Sequence, residues 1–400
     1  MATRSPFDIL FLAQRVPYPP DRGDRITTWN ILQHFLQKGR RVRLACFLEN
    51  SRDEAALAHL EGLGIDVLSE RIHPALRKLR CMPHLLGRQP LTLPYFYSHK
   101  IRSGIDRWLD EGTPELAFAY SSSMGQYLLG AGERLSNVRR IMHFAELDSD
   151  KWAQYASQKV FPGSWVYGRE ARLLLAFEQR LAHAVDLNLV VSSVEKELFE
   201  ERIPGAPVAV LRNGVDLEHF RPGPMELREP ETLIFTGVMD YHPNVDGVLH
   251  FVRRLWPRIR AARPSARFLI VGAHPSAEIR ALHGRDGIEV SGRVESTVPW
   301  FERASVAVVP LRIARGIQNK VLEAMAMGLP TVVTPKAFQG IRAQPGQDLF
   351  VPEDDEGFLR DTLALLDSTE LRQGMGKAAR EAMEASYQWS QILEGLDQRT

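Results

Sequence analysis

Apolar runs of strand length alternate with amphipathic stretches of helical length through the first half of the chain. Phe7–Ala13 predicts a buried strand, Thr27–Lys38 a helix closed by Gly39 as a left-handed cap, and Val42–Phe47 the next strand. Ser51-Arg52-Asp53-Glu54 has the spacing of a capping box and predicts a further helix start. Later strands are expected at Leu116–Ala119, Arg140–His143, Leu187–Val191 and Val208–Leu211. These runs are apolar throughout and do not alternate, as expected of parallel strands covered on both faces. Strands interleaved with helices therefore predict a doubly wound α/β sheet.

The alternation then restarts. Asn213-Gly214, Pro222-Gly223-Pro224 and Glu229-Pro230-Glu231 punctuate a polar connector. Beyond it come strands at Thr232–Thr236, Arg267–Val271, Ile288–Ser291, Val306–Val309 and Thr331–Thr334. Helices are expected over Asn244–Ile259, Gln318–Met327 and much of 355–400. The domain expectation is thus a Rossmann-like domain over 1–212, a second over 213–385, and a C-terminal helix in 386–400 that packs back toward the first domain. Two such domains would leave a cleft between them. Ligands of open α/β sheets sit at the carboxyl ends of the strands, so two substrates are expected to meet there.

Composition narrows the class. At 400 residues, 44% hydrophobic and 25% charged, the chain suits two soluble globular domains. A formal net charge of +1 argues against a nucleic-acid binder. The two cysteines, Cys46 and Cys81, allow neither a disulfide framework nor a cysteine zinc site, and they fit a reducing, cytoplasmic setting. The apolar run Phe7–Ala13 is too short to cross a bilayer and lacks the flanks of a signal peptide; no other span is expected.

The chemistry concentrates in Val309–Val333. A strand ends at Pro310, a loop with Arg312, Arg315 and Gly316 follows, and a helix begins near Gln318 and stops at Gly328. A helix N-terminus offers unpaired N–H groups to a phosphate, and Lys320 and the two arginines would add charge. Glu323 lies on the face of Lys320, one turn on, where a carboxylate can accept both hydroxyls of a ribose. A solvated Lys–Glu pair on a surface helix has the same spelling.

Leu322-Glu323-Ala324-Met325-Ala326 resembles the donor-binding motif of the retaining glycosyltransferases of family four, which have the GT-B fold. Three more stretches carry the resemblance: Val191-Ser192-Ser193 with Leu211–Asp216, Phe235–Met239 with His242-Pro243-Asn244, and Ser291-Gly292-Arg293-Val294. It covers about 210–345 well and the first domain more loosely. Arg15–Asp24 and Asp148–Trp152 are similar to sugar transferases of bacterial exosortase and exopolysaccharide systems. The resemblance implies a two-domain GT-B enzyme using a UDP- or GDP-sugar. It implies donor contacts from Gly237, Asn244, Arg293, Val294 and Glu323, and a catalytic role for His143 at a strand end. The residues themselves add Arg312, Arg315 and Gly316 of the loop as expected donor contacts, Lys320 at the departing diphosphate, and Asp148 as orienter of the acceptor hydroxyl.

Two departures stand out. The family's first glutamate would fall at position 315, which is Arg315. Val238 and Pro243 occupy positions where many members carry diphosphate-gripping cations. Arg315 keeps a second reading in play, a non-catalytic sugar-nucleotide-binding partner of a polysaccharide export system; a third, a GT-B sugar-nucleotide epimerase, should need a pair of carboxylates beside the sugar, and Arg315 removes one candidate. In the first domain, Gly23 closes a proline-rich loop and would let backbone approach a phosphate or sugar; a plain strand-to-helix turn reads the same way. No Asp-x-Asp stands in a plausible metal loop, so neither a metal nor another cofactor is expected to be required. Arg71 to Arg107 interleaves cations with Leu, Tyr and Phe, a pattern suited to a peripheral contact with the inner membrane surface and equally to a solvated helical face. The expected partners are a nucleotide-sugar donor and a glycan or lipid-linked acceptor.

Overall fold

The computed structural model describes residues 5–314 and 316–397. The chain divides into two compact units, 1–212 with 393–400, and 213–392. The first unit holds seven strands: β1 (Ile9–Ala13), β2 (Val42–Leu48), β3 (Asp66–Arg71), β4 (Leu116–Tyr120), β5 (Arg139–Ala145), β6 (Leu187–Val190) and β7 (Val208–Val210). They pair in parallel in the order β3-β2-β1-β4-β5-β6-β7. The second unit holds β8 (Thr232–Thr236), β9 (Arg267–Val271), β10 (Ile288–Gly292), β11 (Val306–Val309) and β12 (Thr331–Val333), in the order β10-β9-β8-β11-β12, again all parallel. Both sheets are doubly wound α/β sheets, with strand order reversing direction beside β1/β4 in one and β8/β11 in the other.

Burial explains why the strands were legible. Every residue of β1, β4, β8 and β11 is buried. Each unit closes over its own core: Phe11 stacks on Phe118 at 5.1 Å in the first, and Phe251 lies 4.9 Å from Phe268 in the second. The edge strand β3 was not expected. Its residues are half-buried or exposed, so no apolar run marks it.

Three local expectations are corrected. The helix predicted from Thr27 begins at Gly23, which therefore serves as its exposed first residue, ahead of any apolar periodicity. The helix after β2 is capped by Asn50, whose side chain accepts from the amides of Arg52 and Asp53; Ser51 is already helical. Asp53, assigned to a capping box, is wholly buried and paired with Arg25 at 2.7 Å. The single helix expected over 244–259 is two, His242–Arg254 and Trp256–Ala262. Pro257 has no N–H to continue the ladder and suits only a first turn. Gly39 does take the left-handed cap, at φ 71°. No helix among the described residues is long and apolar enough to cross a membrane.

Candidate functional site

In the second unit, the expected donor residues gather where β8 and β11 end side by side. Gly237 follows β8, and its N–H donates to the carbonyl of Val271 at the end of β9 (3.0 Å). Asn244 stands in the first turn of helix His242–Arg254. Its Nδ2 donates to the Val238 carbonyl (2.9 Å), and its Oδ1 accepts from Lys320 Nζ (2.6 Å). A Cβ on Gly237 would lie 2.7 Å from Asn244 Nδ2 and 3.3 Å from Lys320 Nζ, so only glycine admits both neighbours. Gly272, which follows β9, was not singled out from sequence. A Cβ there would stand 1.7 Å from the Gly237 carbonyl oxygen. The repeated pattern of apolar strand then glycine, Thr236-Gly237 and Val271-Gly272, was the available signal.

Lys320 belongs to the eight-residue helix Asn319–Ala326, capped at Gln318 without a side-chain bond to the helix amides. Lys320 makes no hydrogen bond beyond Asn244 among the described residues, and its ammonium sits 5.0 Å over the Phe235 ring. Burial pulls its pKa down to about 8, against the pull of Glu323. Burial pushes Glu323 up to about 7, against the pull of Lys320. Both side chains are half-buried, unlike a solvated surface pair. The Glu323 carboxylate accepts no hydrogen bond among the described residues, which leaves both oxygens for a ligand. The first turns of two helices thus come together at one ammonium with a neutral partner, and helix N-termini beside a cation are chemistry suited to an anion.

The other expected donor residues are less tightly gathered. Arg312 is engaged in a bidentate pair with Asp246 on helix His242–Arg254 (3.0 and 2.5 Å), and its guanidinium is half exposed. Gly316 takes φ 62°, and its carbonyl accepts from Gln318 Nε2 (3.2 Å). Arg315 lies outside the described residues. Arg293 is exposed after β10, and Val294 packs half-buried against the core beneath β8 and β9.

In the first unit, His143 sits near the end of β5 beside a register shift, with Ala145 at φ 62°. Its Nδ1 accepts from the Ala145 amide (3.0 Å), which assigns the proton to Nε2, and Nε2 is buried with no partner. Burial pulls this ring down to about 3, so it is neutral. Tyr120 lies 4.9 Å away on β4. Asp148 opens helix Asp148–Ser157, accepts from Ser122 Oγ (2.8 Å) and pairs with Lys151. Below it Glu178 is fully buried, with Oε1 accepting weakly from the Ser149 amide (3.4 Å) and Oε2 unpartnered. Burial and the nearby Asp148 push Glu178 up to about 8. Gln14, also unforeseen, bridges Ser121 and Ser123 after β4 (3.1 and 2.9 Å). The loop before Gly23 is held by ion pairs: Arg15 contacts Asp24 (2.7 Å) and Glu49 (2.6 Å). Burial raises the Asp24 carboxyl, but Arg15 and Arg22 outweigh it and hold it below its ordinary value.

Residues 230–368 match the family described as Glycosyl transferases group 1. Glycogen synthase of Mycobacterium tuberculosis is 26% identical over 250 residues, which cover 58% of this chain and 58% of that protein. Among solved structures, sucrose-phosphate synthase from Thermosynechococcus elongatus aligns with TM-score 0.70 and 16% identity over 98% of each chain. HepE of Anabaena in complex with UDP aligns with TM-score 0.69 and 14% identity, over 98% of this chain and 99% of that one. The fold is that of the GT-B glycosyltransferases.

Proposed function

We propose that this protein is a retaining, metal-independent glycosyltransferase that moves a sugar from a UDP- or GDP-sugar to a hydroxyl acceptor, in the synthesis of exopolysaccharide or another surface glycan. The observation that carries this reading is the ammonium of Lys320, held by the neutral Asn244 over a glycine turn where β8 and β11 end, inside the segment that matches a glycosyl transferase family. HepE's structure with UDP is consistent with a uridine nucleotide.

Each residue then has a task. Lys320 and the two helix N-termini take the diphosphate. They stabilise the charge that develops there as its bond to the anomeric carbon breaks. Glu323 accepts the ribose hydroxyls, and the Arg293-Val294 loop meets the base. Arg312 exchanges Asp246 for phosphate, and Arg315 and Gly316 of the same loop serve the donor as well. From 1–212, the Nε2–H of His143 donates to the sugar and Asp148 orients the acceptor hydroxyl. Lys320 and the loop arginines are the fixed cations that stand in for a metal at the diphosphate. The acceptor is a glycan or lipid-linked hydroxyl, met at the inner face of the cytoplasmic membrane through 71–107.

The test is protection from thermal unfolding by UDP-, GDP- and dTDP-sugars with chelator present, beside the Glu323→Ala variant. A ligand at 100 times its dissociation constant stabilises by about 2.7 kcal/mol. One nucleotide class should protect the parent, weakly protect the variant, and be turned over with an acceptor. Protection by none defeats the reading; protection without turnover favours a non-catalytic binder.

A further inference from the structure

Two stretches of the first unit contain no Asp or Glu at all: Arg71 to Ile105, and Lys151 to Arg169. The structure straps them together. Arg169 Nη2 donates to the carbonyls of His84 (2.7 Å), Gly87 (2.6 Å) and Gln89 (3.0 Å), and the next residue, Glu170, accepts from the amides of Leu91 (2.6 Å) and Thr92 (2.9 Å). Trp165 lies one helical turn before Arg169 on the same face of helix Gly163–His183, about 6 Å along the axis.

Large apolar side chains are exposed on both stretches. Leu76, Leu79, Met82 and Leu86 project from one, with Leu86 90% exposed. Val160, Phe161 and Trp165 project from the other, with Phe161 78% exposed. The cations divide into two sets. Arg71, Arg77, Lys100 and Arg102 are bound to partners inside the unit. Lys78, Arg80, Arg88 and Lys159 are exposed and have no side-chain partner among the described residues. Behind the strap lies a cavity of about 820 Å³, lined by Arg80, His84 and Arg180 over Leu93, Tyr97 and Phe177, with no carboxylate in its lining. Arg180 rests 5.6 Å over the Phe177 ring and pairs with no acid among the described residues.

We propose that this face docks on an anionic phospholipid bilayer: Leu86, Phe161 and Trp165 enter the headgroup layer, Lys78, Arg80, Arg88 and Lys159 meet the lipid phosphates, and the cavity of Arg80, His84 and Arg180 receives one headgroup. The occupant follows from complementarity. Exposed apolar side chains and unpartnered cations on the same two acid-free segments match a surface that is apolar within and negative at its rim. An aromatic residue at such a boundary keeps its ring in the headgroup region. The inference rests on the reading that 71–107 meets a membrane, extends it to 151–169, and needs nothing from the transfer chemistry.

Flotation of the full-length protein with vesicles tests it. Vesicles containing phosphatidylglycerol should carry the protein at low salt, and vesicles of phosphatidylcholine alone should not. High salt should release it. Leu86→Ser with Phe161→Ser should weaken binding by more than about tenfold, since each removes a large apolar group from water contact on docking. Lys78→Ala and Arg80→Ala should each cost about fivefold, while Lys377→Ala, on the other unit, should change nothing. All five altered positions are exposed, and an unchanged melting midpoint confirms folding. Binding that ignores lipid charge overturns the proposal, as does binding that ignores these variants. A dimer dissolved by Leu86→Ser with Phe161→Ser would assign the face to a second copy and also overturn it. Protection by sugar nucleotides, measured without vesicles, reports on the transferase reading separately.

Discussion

The two sheets share a winding order, yet their strand ends are furnished differently. In 1–212 the charges after β1, β2 and β5 are matched internally: Arg15 lies between Asp24 and Glu49, Arg25 reaches Asp53, and Lys151 closes on Asp148. The buried atoms without a partner there among the described residues include the Nε2 of His143, on a neutral ring, and one oxygen of Glu178, an acid that burial shifts toward its protonated form. In 213–392 the reverse holds. Among the described residues, the one hydrogen-bond partner of Lys320 is an amide and Glu323 has none, and the two helix N-termini have no side-chain caps. A site that must bind a charged ligand keeps its charges uncompensated and half-buried, where each is worth more than in water. A site that presents a neutral hydrogen-bonding surface can satisfy its charges itself.

That contrast can be broken most sharply at Lys320. Lys320→Met should lower turnover about 10²–10³-fold, the loss typical of removing one preorganised charge-stabilising donor. The melting midpoint at neutral pH should hold or rise. A lysine whose folded pKa is depressed to about 8 contributes stability only above its unfolded value and loses it as pH falls through 8, so at pH 7 its charge is a burden on the fold. A fall in both turnover and stability would make Lys320 a structural residue instead.

Next in size is the backbone of the same site. Gly272→Ala drives a Cβ into the Gly237 carbonyl, a backbone atom with no room to turn aside. It should destabilise by more than about 3 kcal/mol in urea titration. An alanine tolerated at that position would mean that the paired glycine turns are looser than drawn.

The smallest effect belongs to the first unit and sharpens its side of the contrast. Glu178 is raised to about 8, so its contribution to stability is full below its unfolded value and is lost as pH rises through 8. Glu178→Gln should therefore be more stable than the parent by about 2 kcal/mol at pH 9, at about 1.4 kcal/mol per pKa unit after allowance for relaxation. The gap should close near pH 4. A gap independent of pH would show that Glu178 acts through packing and not through its charge.

Much of this was legible along the chain. The parallel sheets followed from apolar runs without alternation, because strands covered on both faces carry no polar side. The Lys320 and Glu323 spacing was legible because helix periodicity alone puts them on one face. β3 was hidden because an edge strand exposes enough of itself to lose the apolar signature. The break at Leu255 was hidden because the apolar periodicity runs through it, while Pro257 acts only on the backbone.

Sequence by itself determined the winding of the two units and the order in which their charged groups arrive, since both follow from local periodicity. Tertiary structure decided which charges remained available. Arg312 and Lys320 are both cations near one strand end, but Arg312 pairs with the carboxylate of Asp246, while the hydrogen-bond partner of Lys320 among the described residues is the neutral Asn244. Pairing depends on which side chains the fold brings within about 3 Å, and that distance is set by packing between segments some 70 residues apart.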